Sequence, residues 1–388
     1  MSGFDRRPLD DVLAGAVASG AAPGLVAIVA TEGSLLYEGA FGVRDVRSSD
    51  PISADTIFRI ASMTKLVTAI SVLQQVEAGR VGLDTPVGDV LPEFDELDVL
   101  DGFDGDHPVL RPPASRATLR QLLTHTSGLA YDIWSTQMTR FEEVTDVPQL
   151  QTGRRAAYRA PLIFDPGTRF NYGTSMDWAG LIVEELTGLT LDRYWTERLF
   201  APMGLHDTTP APTDAQRERL APVHAPGPDG GWVATEIDFA RDPEVYAGGH
   251  CLYSTARDYL AFQRMMLSGG TYGGHRYLEP ETVAAIFENQ MGDLDVGTIE
   301  TADEEQSADV PLGAKKWGLG ILVDPVDVPG GRTAWSGGWM GGFNSLFWVD
   351  RARGLTASLY AQTIPFYSDG IVTVFHDFER AVYAAAAG

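Results

Sequence analysis

Cysteine is nearly missing from this chain. Cys251 stands alone among 388 residues, so no disulfide can form within the chain and Cys/His metal clusters are excluded. Basic residues are scarce too. Lys and Arg number 29 against 53 Asp and Glu, a formal net charge of -24. No basic run offsets that balance, which argues against nucleic acid and against an anionic membrane surface as partners. No stretch approaches the ~20 consecutive apolar residues of a membrane span. The Ala/Val-rich stretch from Val12 to Ala30 follows Arg6-Arg7, but Asp10-Asp11 edge it and Pro23-Gly24 break it. An export signal needs an unbroken apolar core, so a cytoplasmic location is expected. Repeats and low-complexity tracts are also missing.

What is present suits a large soluble fold. Hydrophobic residues make up 44%, and the length allows one large domain or two lobes. One stretch organises the rest: Phe58-Arg59-Ile60-Ala61-Ser62-Met63-Thr64-Lys65-Leu66-Val67. Apolar residues at Met63, Leu66, Val67, Ile70, Leu73 and Val76 have helical spacing, with Gly79 as a stop. Ser62 sits at the helix start and Lys65 three residues on, so their side chains share one face. The positive end of the helix and burial both disfavour a charged Lys65, which makes its amine a candidate base for a Ser62 nucleophile. Ser at a helix start is more often a cap, and Lys more often solvated. The apolar surroundings of Lys65 argue otherwise.

Along the chain, a short helix ending near Gly20 precedes a hairpin of strands Leu25–Ala30 and Leu35–Phe41. A third strand, Thr56–Ile60, leads into the Ser62 helix. Asp101–Asp106 lacks the spacing of a calcium loop and is expected to be a solvated acidic loop. Thr118–Leu123 is a capped helix, and helices follow at Ser175–Thr187, Leu191–Phe200, Thr255–Leu267 and Glu281–Glu288. Asp293 to Asp309 holds seven acids and no base, as a mobile surface loop would. Strands are expected at Trp317–Val323, Thr333–Trp335, Phe343–Val349 and Leu355–Ala361, and a final helix at Asp369–Ala387. Strands thus lie at both chain ends and helices between. That pattern implies an α+β fold: an antiparallel sheet lobe from residues 1–80 and 232–388, a helical lobe inserted at 81–231, and a cleft between them.

Other chemistry-bearing residues compete for roles. Cys251 beside His250 reads chiefly as a small buried residue in a strand. His125, in Thr124-His125-Thr126-Ser127-Gly128, reads as a structural turn histidine, because Lys65 already offers a base. Tyr172, in a loop before a helix, can serve as a proton shuttle. Trp335-Ser336-Gly337-Gly338-Trp339-Met340-Gly341-Gly342 lets a substrate carbonyl approach the backbone, where the Gly338 N–H joins that of Ser62 in an oxyanion hole.

Ser62-Met63-Thr64-Lys65, Tyr172-Gly173-Thr174 and Trp335-Ser336-Gly337-Gly338 resemble, in order and rough spacing, the motifs of the serine β-lactamase and penicillin-binding-protein superfamily. The nearest resemblance is to the class C β-lactamase-like family VIII carboxylesterases. The likeness extends to Leu122–Leu129 and Gly248–Tyr259. It implies a β-lactamase-like fold with no metal or cofactor and a small-molecule ester as partner. It also implies an acyl-enzyme on Ser62, with Lys65 and Tyr172 sharing its proton, and Trp335, Ser336, Gly337 and Thr174 lining the substrate site.

Two positions depart from the β-lactamase pattern. Trp335 stands where a lysine would meet the β-lactam carboxylate, and Thr174 where an asparagine amide would contact substrate. Losing a charge-assisted contact costs ~1.5–3 kcal/mol. Short neutral esters are therefore the expected substrates. A β-lactamase, an amide hydrolase, an acyltransferase and a non-catalytic ligand sensor of the same fold are the alternatives.

Overall fold

The computed structural model describes residues 4–387. Strands β1 (Gly24–Thr31), β2 (Leu35–Asp45) and β3 (Asp50–Pro51) come from the start of the chain. Strands β4 (Lys316–Trp317), β5 (Leu322–Val323), β6 (Gly337–Gly341), β7 (Ser345–Asp350) and β8 (Leu355–Tyr360) come from its end. Together they form one antiparallel sheet in the order β4-β5-β6-β7-β8-β1-β2-β3. The two ends meet where β1 pairs with β8, from Val26 opposite Tyr360 to Thr31 opposite Leu355.

Six helices matter for the site and its support: α1 (Arg7–Ala18), α2 (Thr64–Glu77), α3 (Leu119–Leu123), α4 (Ser175–Thr187), α5 (Ala256–Leu267) and α6 (Asp369–Ala387). The side chains of β1 alternate between two cores, as the pleat requires. Leu25, Ala27 and Val29 join Leu9 and Leu13 of α1 and Phe378 and Val382 of α6. Val26, Ile28 and Ala30 face the opposite way, into a larger core that takes in α2, α4 and α5. Because both faces are covered, the strand reads as a nearly unbroken apolar run.

Local signals account for the helix boundaries. Thr118 and Gln121 close a reciprocal capping box on α3. Thr255 caps α5 by accepting from the Asp258 N–H. Gly188 ends α4 in the left-handed conformation at φ 68°. The expected helix Leu191–Phe200 is α-helical over Leu191–Trp195 and widens to a π-turn over Thr196–Phe200.

Four expectations are corrected. The strand expected at Thr56–Ile60 shrinks to Phe58–Arg59, which pairs with Tyr253–Ser254 and not with the main sheet. Asp101–Asp106 is not a loop but the centre of a hairpin, Val99–Asp104 with His107–Arg111, turned at Gly105. The acidic stretch after Asp293 contains strand Gly297–Ile299, and its Ser307 is fully buried, accepting from the Trp134 indole at 3.0 Å. No strand forms at Thr333–Trp335. Strand β6 begins two residues later, at Gly337.

The second core gives a first test. Phe378 is fully buried and meets Trp348 edge-on at 5.8 Å between centroids. Phe378→Ala is expected to cost ~3–5 kcal/mol, read as a lower urea midpoint at unchanged slope.

Candidate functional site

Ser62 sits in a single 3₁₀ turn, Ala61–Met63, that runs directly into α2. Ala61 has φ 43°, a strained value for a residue with a side chain. The surroundings hold that turn in place. The Ile60 N–H donates to the Leu252 carbonyl at 3.0 Å, the Leu252 N–H donates to Thr64 Oγ1 at 3.1 Å, and the Tyr259 hydroxyl donates to the Met63 carbonyl at 2.8 Å.

Lys65, one turn into α2, has no exposed surface. Its Nζ lies 3.0 Å from Ser62 Oγ, 2.9 Å from the Gly249 carbonyl and 3.2 Å from the Tyr131 hydroxyl. Burial lowers its pKa to about 7, against an opposing pull from the Asp177 carboxylate. A neutral amine has two N–H donors and one lone pair. The Gly249 and Tyr131 oxygens take the two donors, so the lone pair is left for the Ser62 O–H.

Tyr172 lies beside Ser62 and accepts a hydrogen bond from the Trp339 indole at 2.8 Å. Burial raises its pKa, and its bonds with Ser62 and Trp339 offset only part of that, so the phenol stays protonated. Five rings box it in: His125, Tyr131, Trp134, Trp317 and Trp339, at 4.8–6.0 Å between centroids. His125 secures the loop that carries Tyr172. Its carbonyl accepts from the Asn171 N–H at 2.9 Å and its Nδ1 from the Gly173 N–H at 3.4 Å. Burial lowers the His125 pKa, and the ring sits behind Tyr172. That is a structural turn histidine.

Ser62 opens into a cavity of about 190 Å³. Its walls are mainly apolar, with Trp134, Leu150, Phe239, Tyr246, Phe343 and Phe366 prominent. Among the described residues that line it, none is Lys or Arg. Asp132 and Asp238 are the acids. Asp238 is already paired, at 3.0 Å to each of Arg59 and Arg217. Cys251 is a wall residue outside any strand, and burial pushes its thiol pKa up, the reverse of an activated thiolate. Among the described residues, no group of three or more His, Cys, Asp or Glu is arranged to hold a metal ion.

The glycine-rich segment is where the expected site residues and the structure part. Between Trp335 and Gly342 the Trp-x-Gly pattern occurs twice, as Trp335-Ser336-Gly337 and Trp339-Met340-Gly341. It is the second that meets Ser62. A Cβ at Gly341 would lie 2.4 Å from the Ile60 carbonyl oxygen, so β6 abuts the Ser62 turn there, and Gly342 lines the cavity with Ser62. Gly338 lies three residues back along the strand, about 10 Å away. It is flanked by Leu322 and Trp348 inside the sheet. Gly337 faces Ile321 and Phe287, Ser336 is buried, and Trp335 is 45% exposed. None of these four lines the Ser62 cavity. Thr174 does not line it either. Its carbonyl accepts the Asp177 and Trp178 N–H groups at the start of α4. Sheet register decided between the two Trp-x-Gly copies, and register is not written in spacing.

Sequence reasoning missed Tyr131, Asp177 and Gly249, and within the Trp335–Gly342 segment it chose Trp335 and Gly338 over Trp339 and Gly342. One signal was available: Asp177 lies in the apolar run Met176-Asp177-Trp178-Ala179-Gly180-Leu181, and a buried acid there needs a partner.

A second test follows from the strand contact. Gly341→Ala is expected to cost ~1–3 kcal/mol, because backbone must move. Gly342→Ala, with open space at its Cβ, is expected to stay within ~0.5 kcal/mol. Parallel urea denaturation of the two variants checks both.

Comparison with known proteins yields consistent relatives. The family model described as Beta-lactamase matches residues 9–373. The monacolin J acid methylbutanoyltransferase of Aspergillus terreus is 31% identical, over 95% of this chain and 93% of that one. The lovastatin esterase of Penicillium rubens is 29% identical, over 97% and 98%. A solved mutant of the simvastatin synthase of Aspergillus terreus superposes with a TM-score of 0.83 at 30% identity, covering 98% of this chain and 94% of that one. EstCE1, a hydrolase with promiscuous acyltransferase activity, matches in fold, with a TM-score of 0.77 at 21% identity over 97% and 98%.

Proposed function

This chain belongs to the beta-lactamase family, and we propose that it is a serine enzyme that takes the acyl group of a neutral carboxylic ester onto Ser62 and releases it to water. The observation that carries the reading is the contact of 3.0 Å between Ser62 Oγ and the Nζ of a fully buried Lys65.

Neutral Lys65 accepts the Ser62 proton as the oxygen attacks the ester carbonyl. The tetrahedral oxyanion is held by the N–H groups of Ser62 and of Gly342, in the role first expected of Gly338. Tyr172, kept protonated, is the group beside Ser62 that can hand a proton to the departing alkoxide and recover it from Lys65. Water then repeats the sequence against the acyl-enzyme.

Electrostatics support a neutral substrate. Among the described residues that line the Ser62 cavity there are acids but no Lys or Arg. A β-lactam carboxylate would find no cation there and would face Asp132, at a cost of ~1.5–3 kcal/mol for the missing charged contact. The apolar, aromatic wall suits an uncharged acyl or alcohol group.

A second reading has its own support. Relatives about 30% identical over most of the chain are named as acyltransferases as well as an esterase. Hydrolysis and transfer share the acyl-enzyme and differ in what removes the acyl group. Adding a series of apolar alcohols to the ester assay and quantifying transferred against hydrolysed product separates them. Transfer that outruns hydrolysis at millimolar alcohol makes the chain an acyltransferase.

Ser62→Ala is expected to lower 4-nitrophenyl acetate turnover by more than about a thousandfold with the fold intact. Retention of a tenth of the activity removes Ser62 from the mechanism. Because the reaction needs the unprotonated amine, kcat/KM is expected to rise as pH increases through about 7 and to level off above it. A flat profile from pH 6 to pH 9 would count against Lys65 as the base. Chromogenic cephalosporin turnover is expected to fall well below that of short nitrophenyl esters, and equal rates would favour a β-lactamase instead.

A further inference from the structure

Behind Lys65 stands a carboxylate the reaction does not touch. Asp177, in the first turn of α4, has no exposed surface. Its Oδ1 accepts the Gly249 N–H at 3.0 Å, and its Oδ2 accepts the Tyr131 O–H at 3.1 Å. Those two partners are the groups that receive the N–H donors of Lys65, through the Gly249 carbonyl and the Tyr131 oxygen. Gly249 is fitted to the arrangement: a Cβ there would lie 2.5 Å from the Tyr131 hydroxyl and 2.7 Å from Asp177 Oδ2.

Donor and acceptor counting gives this network a direction. An ionised carboxylate can only accept, so the one proton of Tyr131 must point at Asp177. The Tyr131 oxygen is then an acceptor toward Lys65. The Gly249 peptide is aligned the same way, with its N–H to Asp177 and its carbonyl to Lys65. Both donors of the neutral amine are thereby used, and its lone pair is left to Ser62.

We propose that Asp177 is a positioning residue that fixes the direction of the Lys65–Tyr131–Asp177 and Lys65–Gly249–Asp177 hydrogen-bond chains, and so keeps the Lys65 lone pair aimed at Ser62. The proposal rests on the reading that neutral Lys65 takes the Ser62 proton. An asparagine at 177 would keep the shape and lose the direction. With its oxygen on the Gly249 N–H, its amide donates to the Tyr131 oxygen. The Tyr131 proton then turns to the Lys65 lone pair and competes with Ser62 for it.

Charge adds a second signature. The groups facing Lys65 are Tyr172, Tyr131, Asp177, His125 and His250. Burial raises both phenols and lowers both imidazoles. Asp177 is the group that pulls the Lys65 pKa upward against burial. Removing its charge moves the activity limb to lower pH, which a purely structural loss would not do.

The test compares Asp177→Asn, Tyr131→Phe, the double variant and Lys65→Ala, with 4-nitrophenyl acetate as substrate and folding followed by circular dichroism. Asp177→Asn is expected to lose about a hundredfold in kcat/KM, on the order of a general-base contribution, with its residual activity limb shifted to lower pH. Tyr131→Phe is expected to lose less, about tenfold and mainly in kcat. The double variant is expected to regain at least about fivefold over Asp177→Asn, because no phenol proton remains to occupy the amine. A folded Asp177→Asn with near wild-type rate and pH limb, or a double variant no better than it, overturns the inference. If Asp177→Asn does not fold, Tyr131→Phe decides: an unchanged kcat overturns the inference, and a loss confined to kcat supports it. Lys65→Ala separates the two levels. Full activity there removes the reading itself, whereas inactivity there with an unaffected Asp177→Asn removes this inference alone.

Discussion

The structure is built around the burial of one amine. Lys65 is held away from water between α2, the start of α4 and the Gly248–Cys251 segment. An ammonium in such a place without compensation would cost several kcal/mol, so the group gives up its proton near neutrality. A buried neutral amine still needs every hydrogen bond satisfied. Ser62, Gly249 and Tyr131 supply those bonds, and each comes from a different part of the chain.

That constraint explains why the surrounding backbone is so closely fitted. Gly341 lies against the Ile60 carbonyl, Gly173 against the Leu129 carbonyl, whose oxygen a Cβ there would approach to 2.4 Å, and Gly249 against Tyr131 and Asp177. Side chains at these three positions would hold apart β6, the Tyr172 loop and the Lys65 cage. The eight-stranded sheet is covered on both faces and provides the rigid support at the end of β6 on which Ser62 and Gly342 come together. The aromatic box around Tyr172 does the same from the helical side.

The cavity's charge pattern is set by the same elements. With Lys65 and His250 favouring their neutral forms and Asp238 already paired, the site presents apolar wall and negative charge to its ligand. That charge pattern differs from that of a site with a lysine on β6, although the fold is the same. Fold establishes the family, and the wall residues choose among its substrates.

The sequence by itself determined what depends on near neighbours. Ser62 and Lys65 meet because a helix brings residues three apart to one face. α4 ends where Gly188 turns left-handed, and α3 and α5 begin where Thr118 and Thr255 cap them. The α+β class followed from strands at both ends of the chain. Tertiary structure decided what depends on distant pairing. Tyr131, Asp177 and Gly249 are separated by dozens of residues from Lys65, and no spacing rule joins them. Trp335 and Trp339 head nearly identical glycine-rich segments four residues apart, and β6 presents the second one to Ser62 because its pairing with β5 and β7 fixes the register. Helical contacts are local and can be counted along a chain, whereas strand register and loop contacts are fixed by partners that the local sequence does not name.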